Sequence, residues 1–248
     1  MKIIVDNLAV EYSDQGSGPA IVMLHGWSDN LHTFDKLVSE LSGFRVVRLD
    51  LPGFGKSERP KDAWDVGQYT VFVRDFLAKL GIEQYILTGH SFGGRIAIKG
   101  VGTGVLQPER LVLIASAGVA KERTFKNEML RTAAKIGKTL TLAWPFSLWR
   151  QRIRRKLYER IGSDYFAAGS MRDVFLKTIR EDLLGYARGI QIPTLLIWGS
   201  EDTSTPLRDG ERIHTAILGS ELKVIDGASH FVHHEKPEEV AGYIRAFI

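Results

Sequence analysis

The sequence predicts an α/β protein built on a mostly parallel sheet, and three observations carry that expectation. Short apolar, β-favouring runs alternate with helical patterns along most of the chain, the signature of βαβ units. One of these runs ends in a serine flanked by glycines, from which a helical pattern departs. No Pro-, Gly- or Ser-rich linker divides the 248 residues into halves, and a chain of this length can bury a large core as one domain carrying an insert.

The elements follow in order. Lys2 to Val5 and Leu8 to Tyr12 read as a hairpin turning at Asp6-Asn7, with Ser13 to Pro19 as a polar loop. Buried strands are expected at Ala20 to Leu24, Phe44 to Leu49, Gln84 to Thr88 and Leu111 to Ala115, joined by right-handed crossovers. From Val119 to Ile190 the pattern is helical throughout, broken at Trp144-Pro145 and near Gly162 and Gly169. Strand character returns at Pro193 to Trp198, followed by a helix from Leu207 to Leu218, a strand from Leu222 to Ile225 and a last helix from Pro237. Residues 1–117 and 191–248 therefore read as one core domain, and 118–190 as an all-helical insertion.

The insertion differs chemically from its host. Residues 118–190 hold 16 Lys and Arg against 7 Asp and Glu, although the net charge of the whole chain is only +4. Within it, Trp149, Ile153, Leu157 and Ile161 recur every four residues, while Arg150, Arg152, Arg154, Arg155, Lys156 and Arg160 fill other faces. An apolar stripe packed on the core with a solvated basic face is preferred over attraction to an anionic membrane surface or selection of an acidic substrate. No nucleic-acid partner is expected.

Cysteine is absent, which excludes disulfides, thiolate zinc sites and a cysteine nucleophile. The apolar run near Met1 is too short for a signal-peptide core, and nowhere do about 18 consecutive apolar residues occur; a soluble cytoplasmic protein is the expectation. No repeat or low-complexity tract appears.

Thr88-Gly89-His90-Ser91-Phe92-Gly93-Gly94 reads as a nucleophile elbow. A serine held at positive φ brings the backbone two residues before and two after it close together, where only small residues fit. Gly89 and Gly93 supply them. A serine hydroxyl is a weak nucleophile at neutral pH, so Ser91 needs a nearby base and a carboxylate to hold that base in the right tautomer. The loop Gly199 to Pro206 offers Asp202, with Glu201 as competitor, and the loop after Ser116 offers no carboxylate. The small-residue loop Asp226 to Phe231 offers His230 as base; His90 and His214 read as structural. His230, His233, His234 and Glu235 lack thiols or a second histidine-rich segment to complete a shell, so no metal is expected. Oxyanion donors are expected from the amide of Phe92, at a helix N-terminus, and from that of Trp27 in His25-Gly26-Trp27-Ser28.

Taken together, His25-Gly26-Trp27, Asp50-Leu51-Pro52-Gly53-Phe54-Gly55-Lys56-Ser57, the elbow, Trp198-Gly199 with Asp202, and Gly227-Ala228-Ser229-His230-Phe231 with Pro237 resemble the α/β-hydrolase superfamily. That resemblance spans nearly the whole chain outside the insertion. It implies an eight-stranded sheet whose second strand runs antiparallel, flanked by helices, with a helical cap over the site where the insertion lies. Ser91 at the elbow argues against epoxide hydrolases and haloalkane dehalogenases, which use aspartate there. Carbon-carbon bond hydrolases of aromatic degradation are similar in cap position and in the Ser-Phe-Gly-Gly run, but usually carry tryptophan where Phe231 stands.

The resulting expectation is a cofactor-independent serine hydrolase, acting on small-molecule carboxylic esters of short to medium acyl chain through an acyl-enzyme. Trp144, Phe146, Trp149, Phe166 and Phe231 are its candidate substrate-binding walls. A carbon-carbon hydrolase of dienone ring-cleavage products and a lactonase are the enzymatic alternatives, and a hydrolase-fold ligand-binding receptor is the non-enzymatic one.

Overall fold

The computed structural model describes residues 1–120 and 171–248. Eight strands form one sheet: β1 (Lys2–Val5), β2 (Leu8–Gln15), β3 (Ala20–Leu24), β4 (Arg45–Leu49), β5 (Ile86–His90), β6 (Arg110–Ile114), β7 (Thr194–Gly199) and β8 (Glu221–Ile225). Their order is β1-β2-β4-β3-β5-β6-β7-β8. β2 is antiparallel to both β1 and β4, and every other pair is parallel. The α/β-hydrolase architecture with an antiparallel second strand is therefore present.

Several expected boundaries shift, and sheet pairing accounts for two of them. β2 continues through Ser13, Asp14 and Gln15, which pair with Arg48, Val47 and Val46; the Asp14 carboxylate takes a forked pair of bonds from Arg45 at 2.9 and 2.7 Å, so polar residues here are strand partners and not a loop. β5 runs on through Gly89 and His90, which pair with Leu113 and Ile114. The elbow is thus held by the sheet up to the residue before Ser91.

Alternation along each strand feeds two cores. Val22, Leu24, Leu87, Leu111, Leu113, Leu196 and Trp198 face one layer. It is made with α2 (Val66–Lys79), α3 (Phe92–Gly102) and α6 (Leu207–Ala216). Ile21, Met23, Ile86, Val112, Ile114 and Ile197 face the other. There they meet α1 (Asp35–Ser39) and α8 (Pro237–Phe247) through Leu37, Val240 and Ile244. Each such side chain, buried completely, stabilises the fold by about 1.5–3 kcal/mol before entropy is counted.

β6 and β7 are adjacent and parallel, and the chain between them spans the residues expected to form the insertion. Of it the described residues form α4 (Arg172–Thr178) and α5 (Leu184–Ala187). This returning segment is pinned to the core at several points. Leu183 N donates to Gly118 O at 2.8 Å, Arg95 donates to Glu181 O at 2.5 Å, Lys99 pairs with the Glu181 carboxylate at 2.6 Å, and Lys177 donates to Ala63 O at 2.6 Å. Among the described residues no helix is long and apolar enough to cross a membrane.

Candidate functional site

The carboxyl ends of β3, β5, β7 and β8 bring the candidate site together, the edge at which open α/β sheets place their ligands. Ser91 joins β5 to α3 at φ 48°, ψ −106°, a conformation that strains a non-glycine residue and is held only by its surroundings. Those surroundings are visible. A Cβ on Gly89 would stand 2.7 Å from the Gly93 carbonyl carbon, and one on Gly93 would collide with Leu24 O. The strand entering the turn, the helix leaving it and β3 are in direct contact. Although Ser91 occupies the N-cap position of α3, its side chain makes no capping bond, which leaves its hydroxyl free for other partners.

Asp202 and His230, on separate loops, meet. His230 Nδ1 donates to Asp202 Oδ2 at 2.8 Å. The Asp202 side chain is fully buried, and its Oδ1 accepts the amides of Ser204 at 2.8 Å and Thr205 at 2.9 Å. Burial alone would raise its pKa, but the bonds from His230 and Thr205 and the nearby imidazole outweigh that and hold it below the ordinary carboxylate value. Glu201, the competitor, is exposed.

The histidine next to Ser91, expected to be structural, packs against His230. His90 is buried, as a structural histidine would be, but its Nε2 donates to His230 O at 3.1 Å and its ring lies 4.9 Å from the His230 ring. Burial pushes its pKa well below the usual histidine value, so the ring is neutral and its one N–H is committed to that carbonyl. His233, on the short helix α7 (Val232–Glu235), packs 4.4 Å from His90 and contacts Thr33 Oγ1 at 3.1 Å. Its burial lowers its pKa to about 3. His214 bonds Ser220 Oγ at 2.8 Å, away from this cluster.

Gly26 lies against the elbow: a Cβ there would stand 2.9 Å from His90 Nδ1 and 3.4 Å from the Ser91 Cβ. Trp27 therefore begins the next stretch of chain beside Ser91, its ring 5.4 Å from that of Phe92. Among the described residues, no main-chain acceptor takes the amide proton of Trp27 or Phe92. Phe54 and Phe175 complete an aromatic cluster around the indole, with centroids 4.9 and 5.0 Å away.

Phe231 is 45% exposed. Its ring stands 5.4 Å from both His230 and His90, and with Trp27, Asn30 and Thr33 it borders a shallow groove of about 400 Å³. The other expected walls, Trp144, Phe146, Trp149 and Phe166, lie outside the described residues. Among the described residues no group of three or more His, Asp or Glu side chains is arranged to hold a metal ion.

Three residues have roles that the sequence does not reveal. Thr205 contacts Asp202 and His230 together, and its only sequence signal is its place three residues after Asp202. Asp50 and His25 brace the loops around the site: Asp50 accepts the amides of Leu31 and Lys56, each at 2.7 Å, and His25 Nε2 accepts that of Leu51 at 2.9 Å.

This fold and constellation define a class, and comparison with known proteins places the chain in it. The alpha/beta hydrolase fold family matches residues 19–237, and the chain belongs to that family. It is 27% identical to the AB hydrolase superfamily protein YisY of Bacillus subtilis strain 168, over 98% of this chain and 96% of the relative. Among solved structures it resembles a membrane phospholipase A described as a bacterial virulence factor, with a TM-score of 0.78 and 27% identity, covering 100% of this chain and 84% of the other. It also shares its fold with an esterase from Exiguobacterium antarcticum, at a TM-score of 0.76 and 23% identity, covering 99% and 98% of the two chains.

Proposed function

We propose that this protein is a cofactor-independent serine hydrolase that cleaves carboxylic esters of short to medium acyl chain. One observation carries the reading. A non-glycine serine is held at φ 48° between a buried strand and a helix, on the sheet edge where His230 bonds Asp202 at 2.8 Å. Strain of this kind persists only where the fold over-determines it, and here it presents a hydroxyl.

In this mechanism Ser91 Oγ attacks the ester carbonyl carbon while His230 Nε2 takes its proton. Asp202 keeps the Nδ1 proton in place and stabilises the imidazolium. The free amides of Trp27 and Phe92 hold the oxyanion, and His230 returns its proton to the leaving alcohol. Water, activated by the same imidazole, then releases the acid. The likeness at 27% identity to a protein named as a phospholipase A, itself an ester-cleaving activity, supports ester chemistry.

The test is a panel of nitrophenyl esters of graded chain length, lactones and a dienone, each also run with Ser91→Ala. Esters are expected to turn over, and the substitution is expected to lower kcat by on the order of 10⁶-fold. Turnover that survives Ser91→Ala refutes the mechanism. A dienone or lactone handled far faster than any ester refutes the substrate class and keeps the nucleophile.

A further inference from the structure

The Thr205 hydroxyl has more partners than protons. Its Oγ1 stands 2.8 Å from Asp202 Oδ2, 3.0 Å from Ala115 O and 3.1 Å from His230 Nδ1. A hydroxyl has one proton to give, while an ionised carboxylate and a carbonyl can only accept. Two acceptors therefore compete for that proton, and an imidazole nitrogen stands within reach of the oxygen's lone pairs.

We propose that Thr205 is a positioning residue whose hydroxyl turns between the Asp202 carboxylate and the Ala115 carbonyl as charge appears on and leaves His230. With His230 neutral, the proton lies on Asp202 Oδ2, which then accepts from both Thr205 and His230. When the ring becomes imidazolium, the hydroxyl turns to Ala115 O. A lone pair then faces the charged Nδ1–H, which shares its bond between Asp202 and Thr205. The hydroxyl keeps its proton throughout, no covalent bond changes, and only rotation about Cβ–Oγ is required.

Three features fit this assignment. Thr205 is 8% exposed, so water is largely excluded from the task, and such bonds are stronger where the dielectric is low. Its amide is fixed on Asp202 Oδ1 at 2.9 Å, and its β-branch limits χ1; together these hold the oxygen between its acceptors. Ala115, at the end of β6, has φ 44°. Like Ser28 and Ser91 at this sheet edge, it is a non-glycine residue in the left-handed region, and its carbonyl is the one the hydroxyl reaches.

The proposal rests on the reading of Asp202 and His230 as acid and base, and its test uses no substrate. The titratable groups facing His230 are Asp202, His90 and His233, with Glu235 acting on Asp202 from α7; all stay in place in the variants. The midpoint of the His230 ring titration is followed by NMR in histidine-labelled wild type, Thr205→Val and Thr205→Ser. Valine keeps the shape and removes the oxygen, and should move the midpoint down by on the order of half a pH unit, since a partner of the charged form is lost. Serine should restore it. A hydroxyl fixed on Asp202 would instead weaken the carboxylate, so its removal would move the midpoint up; a packing role would leave it unmoved. A rise or no change overturns the proposal. Thr205→Ala, which adds no volume, is the second variant and should shift the midpoint the same way. Absence of ester turnover would count against the hydrolase reading and leave this measurement intact.

Discussion

Two aspartate and histidine sets stand at the carboxyl edge of one sheet, and their difference separates a brace from a candidate site. Asp50, after β4, and Asp202, after β7, are both buried, at 2% and 5% exposure. Asp50 spends one oxygen on the Leu31 amide and the other on the Lys56 amide. Its neighbour His25 is closed at both ends, Nδ1 against Gly26 O at 2.7 Å and Nε2 on the Leu51 amide, and burial lowers its pKa. Asp202 gives only Oδ1 to the backbone and turns Oδ2 to His230 and Thr205. Burial and residue type are shared; the partners decide the role. Where every acceptor meets an amide the carboxylate orders loops, and where one meets a ring that can take a proton it can do chemistry.

Asp202→Asn tests the chemical half. An amide there favours the wrong imidazole tautomer, and kcat on the best ester should fall by about 10⁴-fold, with the circular dichroism spectrum unchanged. A loss below tenfold would make Asp202 another brace.

Asp50→Asn should show the reverse. One amide N–H then faces a backbone donor in a buried site, and urea unfolding should register a loss of about 2–4 kcal/mol. The rate per folded molecule should change by less than about threefold. If activity instead collapses while stability holds, the division drawn between the two aspartates is wrong.

His233 sharpens the contrast through pH. Its folded pKa is depressed to about 3, against about 6.5 in the unfolded chain. Between these values the unfolded state binds a proton that the folded state does not. Stability is therefore intact above about pH 6.5 and declines on acidification, by up to about 1.4 kcal/mol per pH unit from this ring. His233→Gln should flatten urea-derived stability measured at pH 7, 6 and 5. An unchanged slope would show that the ring is already protonated in the folded state.

The sequence made the frame legible because each strand carries its own signal. Runs such as Ile21 to Leu24 and Leu195 to Trp198 are apolar on both faces, and that needs no knowledge of partners. The elbow was legible for a similar reason: the glycine spacing reports a close approach within six residues. The contacts at Thr205 were not, because its hydroxyl is defined by Ala115 O, 90 positions away in sequence. His90 is buried as a structural histidine, but its partner, the His230 carbonyl, lies 140 positions away and leaves no local signal. Ser13 to Gln15 read as loop because their polarity hides a strand that pairs with Val46 to Arg48 and an Asp14 carboxylate held by Arg45.

The elbow glycines bear on how the molecule fails. Gly93 has no room for a methyl against Leu24 O, and Gly94 none against Ser116 Oγ, so the turn is wedged between β3 and β6 without slack. The hydroxyl geometry cannot relax unless the central strands part. In a thermal ramp the serine should lose its reactivity toward a fluorophosphonate at the same temperature at which the sheet melts, so that labelling yield serves as a thermometer of the whole fold.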